Sequence, residues 1–160
     1  MDRPRFPLGW LVALGAASTL VVAAVLPPVV GGEAGHVLRH AFSVVCHQIP
    51  ERSPHLAGGP VALCHRCSGV LLGLVAGLAM APGLGRGALD RVASSAQGRW
   101  VALAVVPMAL DWALGALGLW ANTPLSRSLT GTLFGVVAGA VLAANLLAVR
   151  SSSPTLVSDA

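Results

Sequence analysis

Residues Cys64–Met80 read CHRCSGVLLGLVAGLAM. From Gly69 onward the stretch is an apolar run with glycine at every fourth position, Gly69, Gly73 and Gly77. Ahead of the run stands a Cys-x-x-Cys, Cys64 and Cys67, with Arg66 between. The apolar part extends over about Val61–Ala81, the roughly 20 residues that a helix needs to cross ~30 Å of hydrocarbon. The stretch therefore reads as a membrane span with a cysteine motif at its start.

Three more stretches reach the same length, about Leu8–Val30, Trp100–Trp120 and Leu129–Val149. Turn formers or charges divide them: Pro27-Pro28 with Gly31-Gly32, then Pro82-Gly83 through Arg99, then Asn122-Thr123-Pro124. Pro107 lies inside the third span, where a kink is expected. Composition agrees. The 160 residues are 55% hydrophobic and only 10% charged, against about 25% charged in a soluble domain, and the mean hydropathy is +0.77. The expectation is an all-α integral membrane four-helix bundle. Residues 1–150 form a single transmembrane domain, and 151–160 a flexible polar tail. Its partner is the lipid bilayer. Nucleic acid is a poor fit, because the net charge of +4 comes from arginines spread singly, with 4% aromatics to stack bases.

Arg3 and Arg5 before the first span could mark a signal peptide. The apolar core is too long, however, and no small-x-small cleavage site closes it before Pro27-Pro28. A retained helix is expected. Arginines in short flanks then orient the chain. Arg3, Arg5, Arg86, Arg91, Arg99 and Arg150 fall on one side, and Arg39, Arg52, Arg66 and Arg127 on the other. The bias predicts a protein of the cytoplasmic (inner) membrane with both termini on the cytoplasmic side, Trp10 and Trp100 at the inner interface and Trp120 at the outer one.

Spans two and four resemble each other. Arg66–Met80 against Ser128–Leu142 (SLTGTLFGVVAGAVL) aligns Gly69, Gly73 and Gly77 with Gly131, Gly135 and Gly139. Each triplet is a smooth ridge that lets helices approach through backbone contact. Shared composition alone also produces such matches, so duplication stays open.

The first hairpin also carries an added segment, Gly31–Pro60. Within it, residues 33–47 put Glu33, His36, Arg39, His40, Ser43 and His47 on one face at about 100° per residue. This predicts an amphipathic helix in the outer interface. His36 and His40 are expected on its solvated face. All three cysteines lie between Cys46-His47 and Cys64-His65-Arg66-Cys67. A helix N-terminus and Arg66 both favour thiolate. Cys46-His47 is near enough to fold back and complete a soft Cys₃His set. A structural disulfide, or structural thiols alone, and a redox pair are the competing readings.

Cys46-His47-Gln48 with Arg52-Ser53, followed by Cys64-x-Arg66-Cys67-x-Gly69, resembles a family of small bacterial and archaeal membrane proteins known only as a domain of unknown function. The likeness continues through Pro107-x-x-x-Asp111 and Arg127-x-x-Thr130-Gly131 to Gly135. Leu71 and Trp112 depart from it, where the family tends to carry Tyr and Gly. The resemblance implies a fold and a motif, but no reaction.

Asp111, near the middle of span three, would be expensive if unpaired. It is expected to serve as a hydrogen-bonding group, a metal ligand, or a counter-ion to Arg66 or Arg127. The leading expectation is a transition-metal site at the extracytoplasmic face, zinc ahead of copper, held by Cys46, Cys64 and Cys67 with His47 or Asp111 as the fourth ligand. The alternative is a quinone-linked thiol-disulfide oxidoreductase using Cys64, Cys67 and Arg66. It lacks a second cysteine pair, since only Cys46 remains.

Overall fold

The computed structural model describes residues 7–94 and 97–148. These contain α1 (Leu8–Val25), α2 (Pro27–Val30), α3 (Gly32–Phe42), α4 (His65–Met80), α5 (Arg86–Ala93), α6 (Gln97–Ala116) and α7 (Pro124–Ala148). Four of them, α1, α4, α6 and α7, are long and apolar enough to cross a membrane. At most 28% of each span is buried inside the protein. Leu11, Val22, Leu103 and Leu110 lie exposed, as side chains facing lipid do. The all-α membrane bundle expected from the sequence is the observed fold. The tail at 151–160, and Arg3, Arg5 and Arg150 of the charge count, lie outside the described residues.

The tightest packing joins α4 to α7, and glycine makes it possible. A Cβ added to Gly69, Gly73 or Gly77 would come closer than 3.0 Å to the carbonyl oxygen of Ser128, Thr132 or Val136 respectively. The relation is reciprocal. A Cβ on Gly131, Gly135 or Gly139 would overlap the carbonyl of Arg66, Val70 or Leu74. Contacts advance along both helices together, so α4 and α7 run parallel. The two ridges that align in sequence are therefore the two faces that meet. With no side chain between them, Cα–H groups lie against carbonyl oxygens, a recurring contact at helix interfaces.

Away from the cysteines, α1 packs on this pair. The Trp10 indole Nε1 donates to the Leu78 carbonyl at 3.0 Å. Trp10, Ala17, Leu78, Ala81 and Ala143 form the buried cluster. The sequence had placed Trp10 in an interfacial belt. It instead turns inward, because Leu78 offers its N–H a buried acceptor. Trp100 and Trp120 are exposed, 49% and 56%.

Helix ends differ from the expected spans for local reasons. The first span stops at Val25 rather than Val30. A continued helix would drive the Pro28 ring into the Ala24 carbonyl. That carbonyl accepts the Ala62 N–H at 2.9 Å instead. The third span stops at Ala116 rather than Trp120, because Gly118 takes φ +71°. Leu119 N–H then donates to the Leu114 carbonyl at 2.9 Å, and Gly118 N–H to Gly115 at 3.2 Å, a Schellman ending. The fourth span starts early, at Pro124, with the Thr123 hydroxyl accepting the Ser126 N–H at 3.1 Å.

The amphipathic helix reaches Phe42, not residue 47. The Ser43 hydroxyl turns back to the His40 carbonyl at 2.7 Å, and Gln48 takes φ +53°. His47 thus leaves the face that carries His36 and His40, both exposed. Two further elements went unforeseen: α5, and a short antiparallel pair, β1 (His55–Leu56) with β2 (Gly59–Pro60). Ala57 and Gly58, both at positive φ, make its two-residue turn.

Candidate metal centre

Cys46 lies just past α3, Cys64 immediately precedes α4 as its N-cap, and Cys67 stands in its first turn. Their Sγ atoms lie within 4.8 Å of one another, as free thiols. Cys46 is buried against Ala24 and Leu63, with Phe42 and Leu71 around it. The Cys64 N–H donates to Cys46 Sγ at 3.2 Å, which ties the two cysteines together across the loop.

The loop that returns Cys46 to α4 is held by backbone-directed bonds. Gln48 Nε2 donates to the Arg39 carbonyl at 2.5 Å and the Ala62 carbonyl at 2.9 Å. Arg39 Nη1 donates to the Pro60 carbonyl at 2.7 Å. The Ser53 hydroxyl, buried, donates to Ile49 at 2.9 Å. Gln48 and Ser53 are thus clamps of the loop. Gln48 joins the end of the amphipathic helix to the strand of chain entering α4, which fixes the distance between Cys46 and Cys64.

Cys64 stands outside the spans, and its acidity is perturbed. A hydrogen bond from the Cys67 thiol, partly opposed by burial, lowers its pKa from the ordinary 9.0 to about 5. The shift favours the thiolate form at Cys64.

Arg66, the second residue of α4, donates through Nη2 to Asp111 Oδ2 on α6. The pair is enclosed, with side chains 19% and 6% exposed. Sequence reasoning placed Asp111 nine residues from the end of its span. The early stop at Ala116 leaves five residues, about 7.5 Å of helix, and brings the carboxylate to the level of Arg66.

Beside the sulfurs opens a cavity of about 480 Å³. Cys46, Cys64 and Cys67 line it together with Arg52, Arg66 and Arg127. Trp112, Gly115, Trp120 and Asn122 also contribute to its wall. Gly115 lies against the Asn122 side chain, which would have to turn away from an added Cβ. These four were not singled out as site residues, and the wall itself has only weak sequence signals: the Asn-Thr-Pro turn and the unusual Trp112. His47 reaches the cavity rim but is exposed and outside the sulfur cluster. Gly69, the last residue of the second motif, belongs to the α4–α7 contact.

Comparison with known proteins gives a family and no activity. Residues 46–141 match the family described as "Predicted membrane protein (DUF2085)". The uncharacterized protein MJ1492 of Methanocaldococcus jannaschii is 32% identical over 95 residues, which cover 59% of this chain and 58% of the relative. The chain thus matches less than two thirds of that relative's length. No solved structure matches.

Proposed function

The chain belongs to this family of predicted membrane proteins, and we propose that it is a metal-binding member. One transition-metal ion is held by Cys46, Cys64 and Cys67 at the extracytoplasmic face of the cytoplasmic membrane. The observation that carries the reading is the convergence of all three sulfurs to within 4.8 Å across an 18-residue excursion of the chain. A tetrahedral zinc ion with Zn–S of about 2.3 Å needs sulfurs about 3.8 Å apart. Closing the cluster therefore asks for shifts of at most about 1 Å, which side-chain rotation supplies.

Zinc is favoured over cuprous copper, although three soft thiolates also suit copper. Three protein donors leave a fourth position for His47 or for a ligand from the cavity. Pairing with Arg66 favours the counter-ion role for Asp111. The Arg bias of the sequence supports the outer placement.

A redox reading has its own support in the lowered pKa of Cys64 beside a second thiol at Cys-x-x-Cys spacing. The experiment that decides is metal content per protein in wild type and in Cys46→Ser, Cys64→Ser and Cys67→Ser variants purified in mild detergent. Each variant should lose most of the metal, because a site cut to two thiolates binds far more weakly. Equal stoichiometry in all four would overturn the metal reading. Thiols that cycle with oxidant and quinone would then favour the redox one.

A further inference from the structure

We infer that the cavity beside the thiols binds a phosphate group, gripped by Arg52, Arg66 and Arg127. Three guanidiniums line one cavity. A single carboxylate, Asp111, answers them, and it is taken by Arg66. The side chains of Arg52 and Arg127 have no hydrogen-bond or ion-pair partner among the described residues. Even with Cys64 as thiolate the cavity stays net positive. Arg52 is exposed, but the Nε of Arg127 is buried without a partner, and a buried donor is unfavourable unless an acceptor completes it.

The donors and the setting select the anion. A guanidinium presents planar paired N–H groups that match phosphate oxygens in a bidentate grip. Arg66 and Arg127 lie in the first turns of α4 and α7. Those helices run parallel and turn both positive ends toward the same cavity. The volume of about 480 Å³ exceeds what a bare phosphate fills and falls in the range of small-ligand pockets. Trp112 and Trp120, 62% and 56% exposed, line one side of it. A phosphate can arrive as a lipid headgroup or free from solution. The inference stands on the arginines and does not require the metal.

The test uses the full chain in a phosphate-free maltoside detergent. Inorganic phosphate is titrated while tryptophan fluorescence is followed, since Trp112 and Trp120 report on the cavity. In a second arm the protein is incubated with vesicles of phosphatidylglycerol, or of uncharged diacylglycerol glycolipid, and retained lipid is read by native mass spectrometry. Saturable phosphate quenching identifies a free anion. Selective retention of phosphatidylglycerol identifies a headgroup. Either supports the inference if Arg52→Gln and Arg127→Gln each weaken binding at least tenfold while the helical circular-dichroism signal is unchanged. Arg52 lies on an exposed loop, so its variant guards against misfolding of the other. Cys64→Ser should lose metal and keep phosphate, which separates failure of this inference from failure of the metal reading. Absence of binding of both probes to wild type, or binding by both Gln variants equal to wild type, would overturn it.

Discussion

Replacing Gly73 by alanine adds one methyl group where the α4 and α7 backbones touch. The new Cβ would sit 2.9 Å from Val136 N and 3.0 Å from Gly135 Cα, and closer still to the Thr132 carbonyl oxygen. None of these atoms belongs to a side chain that can swing away. Restoring ordinary contact requires α7 to retreat by about 1 Å, and a radial gap of 0.5–1 Å forfeits roughly a quarter to a half of a dispersion contact. Because the ridges are reciprocal, the contacts of Gly69, Gly77, Gly131, Gly135 and Gly139 open together. Overpacking of this kind costs about 1–3 kcal/mol. The better helix propensity of alanine returns at most about 1 kcal/mol. The expected net loss is about 1–2 kcal/mol.

Gly15→Ala in α1 is the matched control, since nothing lies within 4 Å of its added Cβ. It should be neutral or stabilising by up to about 1 kcal/mol. Unfolding in mixed micelles with rising dodecyl sulfate, followed by far-ultraviolet circular dichroism, compares the two. Gly73→Ala and Gly73→Ala/Gly135→Ala should show non-additive losses, since the two sites touch. Equal shifts for Gly73→Ala and Gly15→Ala would refute the claim that the glycine ridge is the contact face.

Asp111→Asn keeps shape but leaves the Arg66 guanidinium enclosed without its counter-charge. The loss should be about 3 kcal/mol, the low end for a broken buried pair because Arg66 is 19% exposed; unchanged unfolding would reduce Asp111 to a simple hydrogen-bonding role. In metal-free protein, alkylation of Cys64 by a membrane-impermeant reagent should stay nearly flat from pH 8 to about 6, whereas an ordinary thiol slows about tenfold per unit below its pKa of 9.0. The pKa of Cys64 is depressed on folding, so the stability it lends is present above pH 9 and is lost as pH falls toward about 5. Applied to whole cells, the same reagent should reach the thiols from outside, and labelling only after lysis would reverse the proposed orientation.

The spans were legible because four runs of apolar residues separated by turn formers admit few arrangements. Their ends were less so. Gly118 sits in a run that stays apolar through Trp120, and apolar length alone hides a helix stop that depends on one positive φ. That oversight put Asp111 near the middle of its span, nine residues from the end rather than five. The sulfur cluster was legible from spacing. The departure of His47 was not, because the end of α3 is fixed by Gln48, whose partners Arg39 and Ala62 lie 9 and 14 residues away. The β1–β2 turn shows the same limit, since Ala57 carries φ +48° with no sequence mark for it.

The repeat acquires a physical meaning from the parallel packing. In the alignment of spans two and four, Arg127 corresponds to His65 and Ser126 to Cys64. Two equivalent helix starts therefore stand side by side at one end of the bundle, and each contributes different chemistry to the space between them. The α4 start supplies Cys64, Arg66 and Cys67, and the α7 start supplies Arg127. Both helix dipoles point positive ends at that space. The added segment Gly31–Pro60 breaks the symmetry by bringing the third sulfur and feeding into the loop end that carries Arg52. Close glycine contact is what keeps the two starts near enough to share a site. A change that pries α4 from α7, such as Gly73→Ala, should thus reach the cysteine end as well. Metal content and phosphate affinity of that variant should fall together, even though Gly73 lies two turns from the nearest sulfur on its helix.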